Sequence, residues 1–201
     1  MTRNAIVDAL GVLKAGRIVD LTHLVHPGIQ RFGPFPAMRI ETRYTVAESG
    51  FHVEQVSFVT HYGTHVDAPE HFVEGRRTLE RIELEELMLP LFVLHFEDID
   101  ADGVAHCPGW GLDALKYLFE ERGVTAVGHE TLDTDGSADV RARGFLDCEK
   151  YVLESDHYPV EVMANLDKLP STGGVIFVGL PKFDKFPGFP VCAWAVVPNE
   201  D

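Results

Sequence analysis

Residues 112–127 constrain the fold of this chain more than any other stretch. Leu112, Leu115, Leu118 and Phe119 share one stripe at helical spacing, and Gly123 offers the left-handed residue that ends such a helix. The strand-forming run 124–127 follows at once. A helix passed directly to a buried strand predicts αβ architecture. Elsewhere, short β-rich runs lie between Gly and Pro turns. Residues 17–21, 38–44, 52–60, 175–178 and 192–197 read as strands, and 91–96 is a continuous apolar run of the buried-strand type. Residues 4–15 carry Ile6, Leu10 and Leu13 on a helical stripe stopped by Gly16, and 145–154 reads as a second helix. The charged run 80–86 reads as the solvated face of a helix. With no repeat and no linker, residues 1–201 are expected to form one α/β domain, a mixed β-sheet with flanking helices.

Composition removes several function classes. Seventeen Lys and Arg against 32 Asp and Glu leave a formal charge of −15, the wrong sign for holding a phosphate backbone, so no nucleic-acid partner is expected. No apolar run approaches the roughly 18 residues that span a bilayer, so no membrane association is expected. The opening MTRNAIVDALGVLKAGR lacks the plan of a secretory signal, which predicts a cytoplasmic protein. Cys107, Cys148 and Cys192 are widely spaced and form no C-x-x-C pair. They read as free thiols in a reducing compartment.

The chemistry concentrates in residues 61–72, HYGTHVDAPEHF. His61, His65, Asp67 and His71 are nitrogen and oxygen donors suited to a divalent metal. All four share one parity, so an extended chain projects them to one face. Gly63, Thr64, Val66 and Pro69 argue against a helix. Gly63 lets another group approach the backbone, and Pro69 bends the chain before His71. His61, His65 and Asp67 are close enough in sequence to hold one ion with positions left for water and substrate. His71, beyond the bend, is then a base or an orienting group. A lone strand histidine is more often bonded to water or a carbonyl, but four donors on one face outweigh that reading.

Outside this segment, His23 follows a strand and His129 ends one, at the edge where α/β sites gather. Each is a candidate substrate contact, with a structural hydrogen bond as the alternative for His129. His26 reads as solvated, and His52, His95 and His106 have no convergent partners in sequence. The loops around Phe32 and around Phe183, Phe186 and Phe189 would wall an apolar pocket for a planar substrate, or pack across a neighbouring subunit.

HYGTHVDAPEHF matches every fixed position of the H-x-G-T-H-x-D-x-P-x-H-F signature and so resembles the metal-dependent cyclase-like hydrolases, a family that includes bacterial kynurenine formamidases and isatin hydrolases. Asp20-Leu21-Thr22-His23 looks like that family's D-L-[ST]-H strand. The segments 128–133, GHETLD, and 161–169, EVMANLDKL, are similar to its G-[VI]-D-T and E-N-L-x-N-L-D-x-L segments. The resemblance implies a swivelling β/β/α fold, a homodimer or homotetramer, and one or two divalent ions, Zn or Mn. It places His61, His65 and Asp67 on the first metal, with Asp67 bridging where two are bound. His71 falls on the general base and acid, and Glu161 on a late metal ligand. Twelve residues before that glutamate, formamidases carry a ligand histidine; this chain has Glu149 there. Glu149 is open to three readings: a ligand, a group that orients a ligand, or a charged helix residue.

Three function classes remain. The first is a hydrolase cleaving an amide, lactam or ester bond of a small, cyclic or aromatic substrate, with kynurenine formamidase activity as a narrower form. The second is a cyclase or lyase using the same metal. The third is a ligand-binding module without turnover.

Overall fold

The computed structural model describes residues 4–95 and 108–199; Phe96, His106 and Cys107 lie outside them. In chain order the elements are α1 (Ala5–Ala15), β1 (Arg17–Asp20), β2 (Arg39–Tyr44), α2 (Val46–Ser49), β3 (Val53–Ser57), β4 (His65–Asp67), β5 (Met88–Leu91), α3 (Leu112–Lys116), β6 (Ala126–Gly128), α4 (Ser137–Arg143), α5 (Asp147–Glu154), β7 (Tyr158–Glu161), β8 (Gly174–Gly179), β9 (Gly188–Pro190) and β10 (Cys192–Val197). The fold is α/β, and its strands form two four-stranded sheets and one two-stranded ribbon. The first sheet, β1-β10-β8-β5, is antiparallel throughout. The second, β6-β7-β4-β9, is mixed, with β6 and β7 parallel.

One apolar cluster joins the two sheets. Val19, Val178, Ala193, Ala195 and Val197 of the first pack with Val66, Tyr158 and Val160 of the second. Each fully buried aliphatic side chain here contributes about 1.5–3 kcal/mol. A second cluster seats α3 and α5 against β6 through Leu115, Phe119, Val127, Cys148 and Val152. The helix expected over 112–122 is present, with its C-terminal half, Tyr117–Glu121, wound as a π-turn, and Gly123 ends it at φ +63°. Among the described residues no helix is long and apolar enough to cross a membrane. Of the cysteines, Cys148 is a buried free thiol, whereas Cys192 is exposed.

Two expectations are corrected, and two elements form where expected without burying a face. The buried strand expected at 91–96 instead runs Met88–Leu91, and beyond it Phe92 and Leu94 are 74% and 67% exposed. Its partner β8 begins at Gly174, opposite Leu91, so the following residues have no strand to pair with. The strand expected over 52–60 is β3, but β2 and β3 pair as a ribbon whose residues are exposed on both sides, so alternation here marks no buried face. The run 80–86 forms two 3-10 turns rather than a helical face. Its charges are tied down, Glu80 accepting the Thr78 hydroxyl and the Lys185 N–H, and Glu86 pairing with Arg77 at 2.7 Å. Finally, the helix expected over 4–15 is α1, ended by Gly16; none of its residues is buried, and Leu13 of its stripe is half-buried.

Candidate metal centre

The three residues of β4 lie in the interior of the mixed sheet, and all three are buried. Strand alternation sends Val66 into the core and turns His65 and Asp67 to the other face. Register completes the group: His65 lies opposite Glu161 on β7, and Asp67 lies opposite Gly188 on β9. The glycine is required there, because a Cβ at position 188 would overlap the His61 ring.

His61 reaches the same space through a turn rather than along the strand, which corrects the extended line expected from its parity, and His71 arrives by the bend expected at Pro69. The chain before β4 bends at Gly63, at φ +65°, where an added Cβ would sit 2.6 Å from Ile29 Cδ1. After β4, Pro69–His71 forms a 3-10 turn that folds the His71 ring back onto His61, with centroids 3.9 Å apart and planes at 27°.

Asp67 is the hub. Its Oδ1 lies 3.2 Å from His61 Nε2 and 3.3 Å from His65 Nε2. His65 Nε2 is 3.7 Å from Glu161 Oε2, and His71 Nε2 is 3.9 Å from Glu149 Oε1. Two donor triads share Asp67, His61–Asp67–His71 and His65–Asp67–Glu161, each with its donor atoms within 4.8 Å of one another. The far sides of the rings are anchored. His65 Nδ1–H donates to the Gly63 carbonyl at 2.7 Å, and His61 Nδ1 meets the Thr60 hydroxyl at 2.9 Å. Such bonds fix which nitrogen faces a metal. Asp135 accepts the N–H groups of Cys148 and Glu149 at 2.9–3.0 Å, pinning the start of α5 so that Glu149 is only 3% exposed.

Burial sets the protonation. It holds the His61 and His65 rings down at about 3 and about 4, and lowers His71 as well, so all three are neutral near pH 7. The same desolvation pushes Asp67 and Glu161 above the usual carboxylate range and Glu149 up to about 9, with the neighbouring carboxylates adding to it. Neutral imidazoles and crowded carboxylates are what a divalent cation relieves. The donor atoms fit that ion: His61 Nε2, Asp67 Oδ1 and Glu149 Oε2 are buried with no hydrogen-bond partner.

Six residues singled out from sequence therefore converge: His61, His65, Asp67, His71, Glu149 and Glu161. His129 lies among them, its Nε2 3.6 Å from Glu161 Oε1, rather than at an outer substrate edge. His23 does not join them. Its N–H donates to Thr64 Oγ1 and its ring bonds the Met163 carbonyl, bracing the approach to β4. Phe32 is half exposed and packs edge-on against Phe35. Sequence reasoning missed Thr64, Thr134 and Asp135, which orient the centre; the signal for the last two is their place directly after the loop that follows β6.

A family model described as putative cyclase matches residues 19–107. Isatin hydrolase of Roseibium aggregatum is 21% identical over 192 residues, spanning 69% of this chain and 72% of that protein. Kynurenine formamidase of Geobacillus thermodenitrificans is 40% identical over 65 residues, 31% of each chain. The solved structure of isatin hydrolase A from Labrenzia aggregata, bound to benzyl benzoate, superposes with a TM-score of 0.79 at 24% identity, covering 98% of this chain and 99% of that one.

Proposed function

We propose that this chain, which matches the family model described as putative cyclase over residues 19–107, is a metal-dependent hydrolase cleaving an amide, lactam or ester bond of a small, cyclic or aromatic substrate. The observation that carries the reading is the set of buried, partnerless donor atoms beside a histidine that reaches the surface. The side chains of His61, His65, Asp67, Glu149 and Glu161 are at most 12% exposed, whereas His71 is 30% exposed. His71 alone of the six can touch both the centre and an incoming substrate.

His61, His65 and Asp67 would hold the cation, Zn²⁺ or Mn²⁺, with Glu161 and Glu149 available to a second. The bound cation would supply Lewis acidity that polarises a carbonyl and eases deprotonation of water. Neutral His71 takes a proton from the attacking water as the new C–O bond forms. It returns that proton to the departing nitrogen or oxygen as the scissile bond breaks. With its proton displaced in the loaded centre, Glu149, whose Oε1 lies 3.9 Å from His71 Nε2, would steady the imidazolium in between. A hydrolysis this simple consumes only water, so no further cofactor is invoked. The names of the matched relatives supply the first substrates to try: isatin, and a formamide of kynurenine as the narrower alternative. A homodimer or homotetramer is expected, because an 11-residue helix with nothing buried and a bare two-stranded ribbon are each marginal alone.

His71→Ala tests the roles. Turnover should fall about 10²–10⁴-fold while metal content stays at the wild-type level. Oxygen-18 from solvent should enter the product in hydrolysis and stay out of it in a cyclisation or elimination. Unchanged turnover in His71→Ala, or a product free of solvent oxygen, overturns the reading.

A further inference from the structure

One imidazole at the centre has no task in this scheme. His129 follows β6, which runs parallel to β7 with Gly128 beside Val160, so residue 129 comes abreast of Glu161. The backbone is clamped there on both sides: the His129 N–H donates to the Val160 carbonyl, and the His129 carbonyl accepts the Met163 N–H. The ring is then oriented by Thr131. His129 Nδ1 lies 3.2 Å from the Thr131 carbonyl and 3.0 Å from its hydroxyl oxygen, and that hydroxyl donates its own hydrogen to the Asp133 carbonyl. A carbonyl only accepts, and the hydroxyl's hydrogen is already committed. Both contacts therefore require the hydrogen on Nδ1, which leaves a lone pair on Nε2 of the neutral ring.

That lone pair faces the Glu161 carboxylate. His129 Nε2 is 3.6 Å from Glu161 Oε1 and 3.3 Å from Thr134 Oγ1, while Thr134 Oγ1 is 3.2 Å from the same Glu161 oxygen. Thr134 has one hydrogen for two acceptors, so with Glu161 ionised one acceptor is left facing another. On the opposite side, Glu161 Oε2 faces His65 Nε2 at 3.7 Å, and the His65 hydrogen is likewise committed to Nδ1. A single carboxylate thus presents one oxygen to each of two imidazole lone pairs from different strands.

We propose that His129 is a metal ligand, its Nε2 and Glu161 Oε1 forming a second cation subsite, with the Glu161 carboxylate bridging to the ion beside His65 and Asp67. The inference rests on the metal-centre reading above and assigns to His129 a role within it. An imidazole with carboxylate oxygens suits the borderline ions Zn²⁺ and Mn²⁺.

The test uses full-length protein stripped with a chelator and titrated with Mn²⁺, followed by calorimetry, elemental analysis and electron paramagnetic resonance. Wild type should bind about two ions per chain, and the filled centre should give the spin-coupled signal of a carboxylate-bridged pair. His129→Gln, checked for fold by circular dichroism, should lose the second ion or bind it at least ~10-fold more weakly. Its spectrum should revert to the six-line signal of isolated Mn²⁺. Should that variant fail to fold, His129→Asn read by the same titration and resonance decides whether His129 holds the second ion. Saturation of wild type at one ion overturns the proposal, as does a His129→Gln protein that keeps both ions and the coupled signal. That second result would leave His129 a neutral neighbour of Glu161 with no part in holding the ion. Wild type that binds no Mn²⁺ and no Zn²⁺ overturns the metal-centre reading itself, a different failure from loss of the second ion alone.

Discussion

Glu149→Gln should stabilise the metal-free protein, and by an amount that grows with pH. Glu149 is 3% exposed, and burial together with Asp67, Asp133 and Asp135 raises its carboxyl from 4.5 to about 9. Between those two values the folded chain holds a proton that the unfolded chain has released. Unfolding therefore releases that proton, and stability declines as pH rises through the window. At about 1.36 kcal/mol per pH unit, the penalty is about 1 kcal/mol near pH 5.5, about 3 near pH 7 and about 5 near pH 8.5. Glutamine has the same shape and no charge at any of these values, so it should remove the slope along with the penalty. The assay is urea unfolding of both proteins in excess chelator at the three pH values. The gap between them should be small in acid and widest in alkali. Saturating Mn²⁺ should shrink or reverse the gap, because the amide is a poorer ligand than the carboxylate it replaces. A gap that stays constant with pH, or a variant less stable throughout the range, would refute the buried-carboxylate account.

Three further perturbations probe the same centre from other sides. Gly188→Ala should displace the His61 ring and weaken the first ion by at least ~10-fold, measured by calorimetry on chelator-stripped protein. Asp135→Ala leaves the Cys148 and Glu149 N–H groups buried and unpaired, so urea unfolding should show a loss of about 2–4 kcal/mol. Restoring the ion at about 100 times its dissociation constant should raise the stability of stripped wild type by about 2.7 kcal/mol, and no rise would mean that the ion does not favour the folded state.

How much of this could be read from the sequence depends on how local the cause was. The helix over 112–122 was legible because its stripe and its glycine stop are properties of one short stretch, and the structure reproduces both. His61, His65, Asp67 and His71 were legible as donors, since residue type and spacing announce them. The bend at Pro69 that turns His71 aside was legible too, but the turn at Gly63 that takes His61 off the strand line was not. The swap of the apolar run 91–96 for Met88–Leu91 has a non-local cause too, namely the residue at which β8 begins. Glu161 came only from likeness to a family, as nothing near it in sequence shows that β7 will lie beside β4. The register that sets it opposite His65 is a tertiary fact. Likewise His129 was readable as a strand-end histidine and unreadable as a neighbour of Glu161.

The interior of the mixed sheet shows why these donors must act together. β4 could have been an apolar strand; Val66 and its partner Val160 show what the core face selects. Its other face instead carries His65 and Asp67, with Glu161 alongside, all at most 3% exposed. Burying such groups costs more than burying valine unless something compensates them. Hydrogen bonds compensate only part: Gly63 and Thr134 satisfy one side each of His65 and Glu161, while Asp67 Oδ1 and His61 Nε2 remain without partners 3.2 Å apart. A proton shared between those two atoms would satisfy them at the price of a single bond, but it would leave the Glu149 oxygen and the His129 lone pair as they are. A cation satisfies several at once, because it accepts lone pairs from all directions. If the proposed cation is what compensates these groups, removing any one of its ligands should weaken retention of the ions more than it weakens the fold.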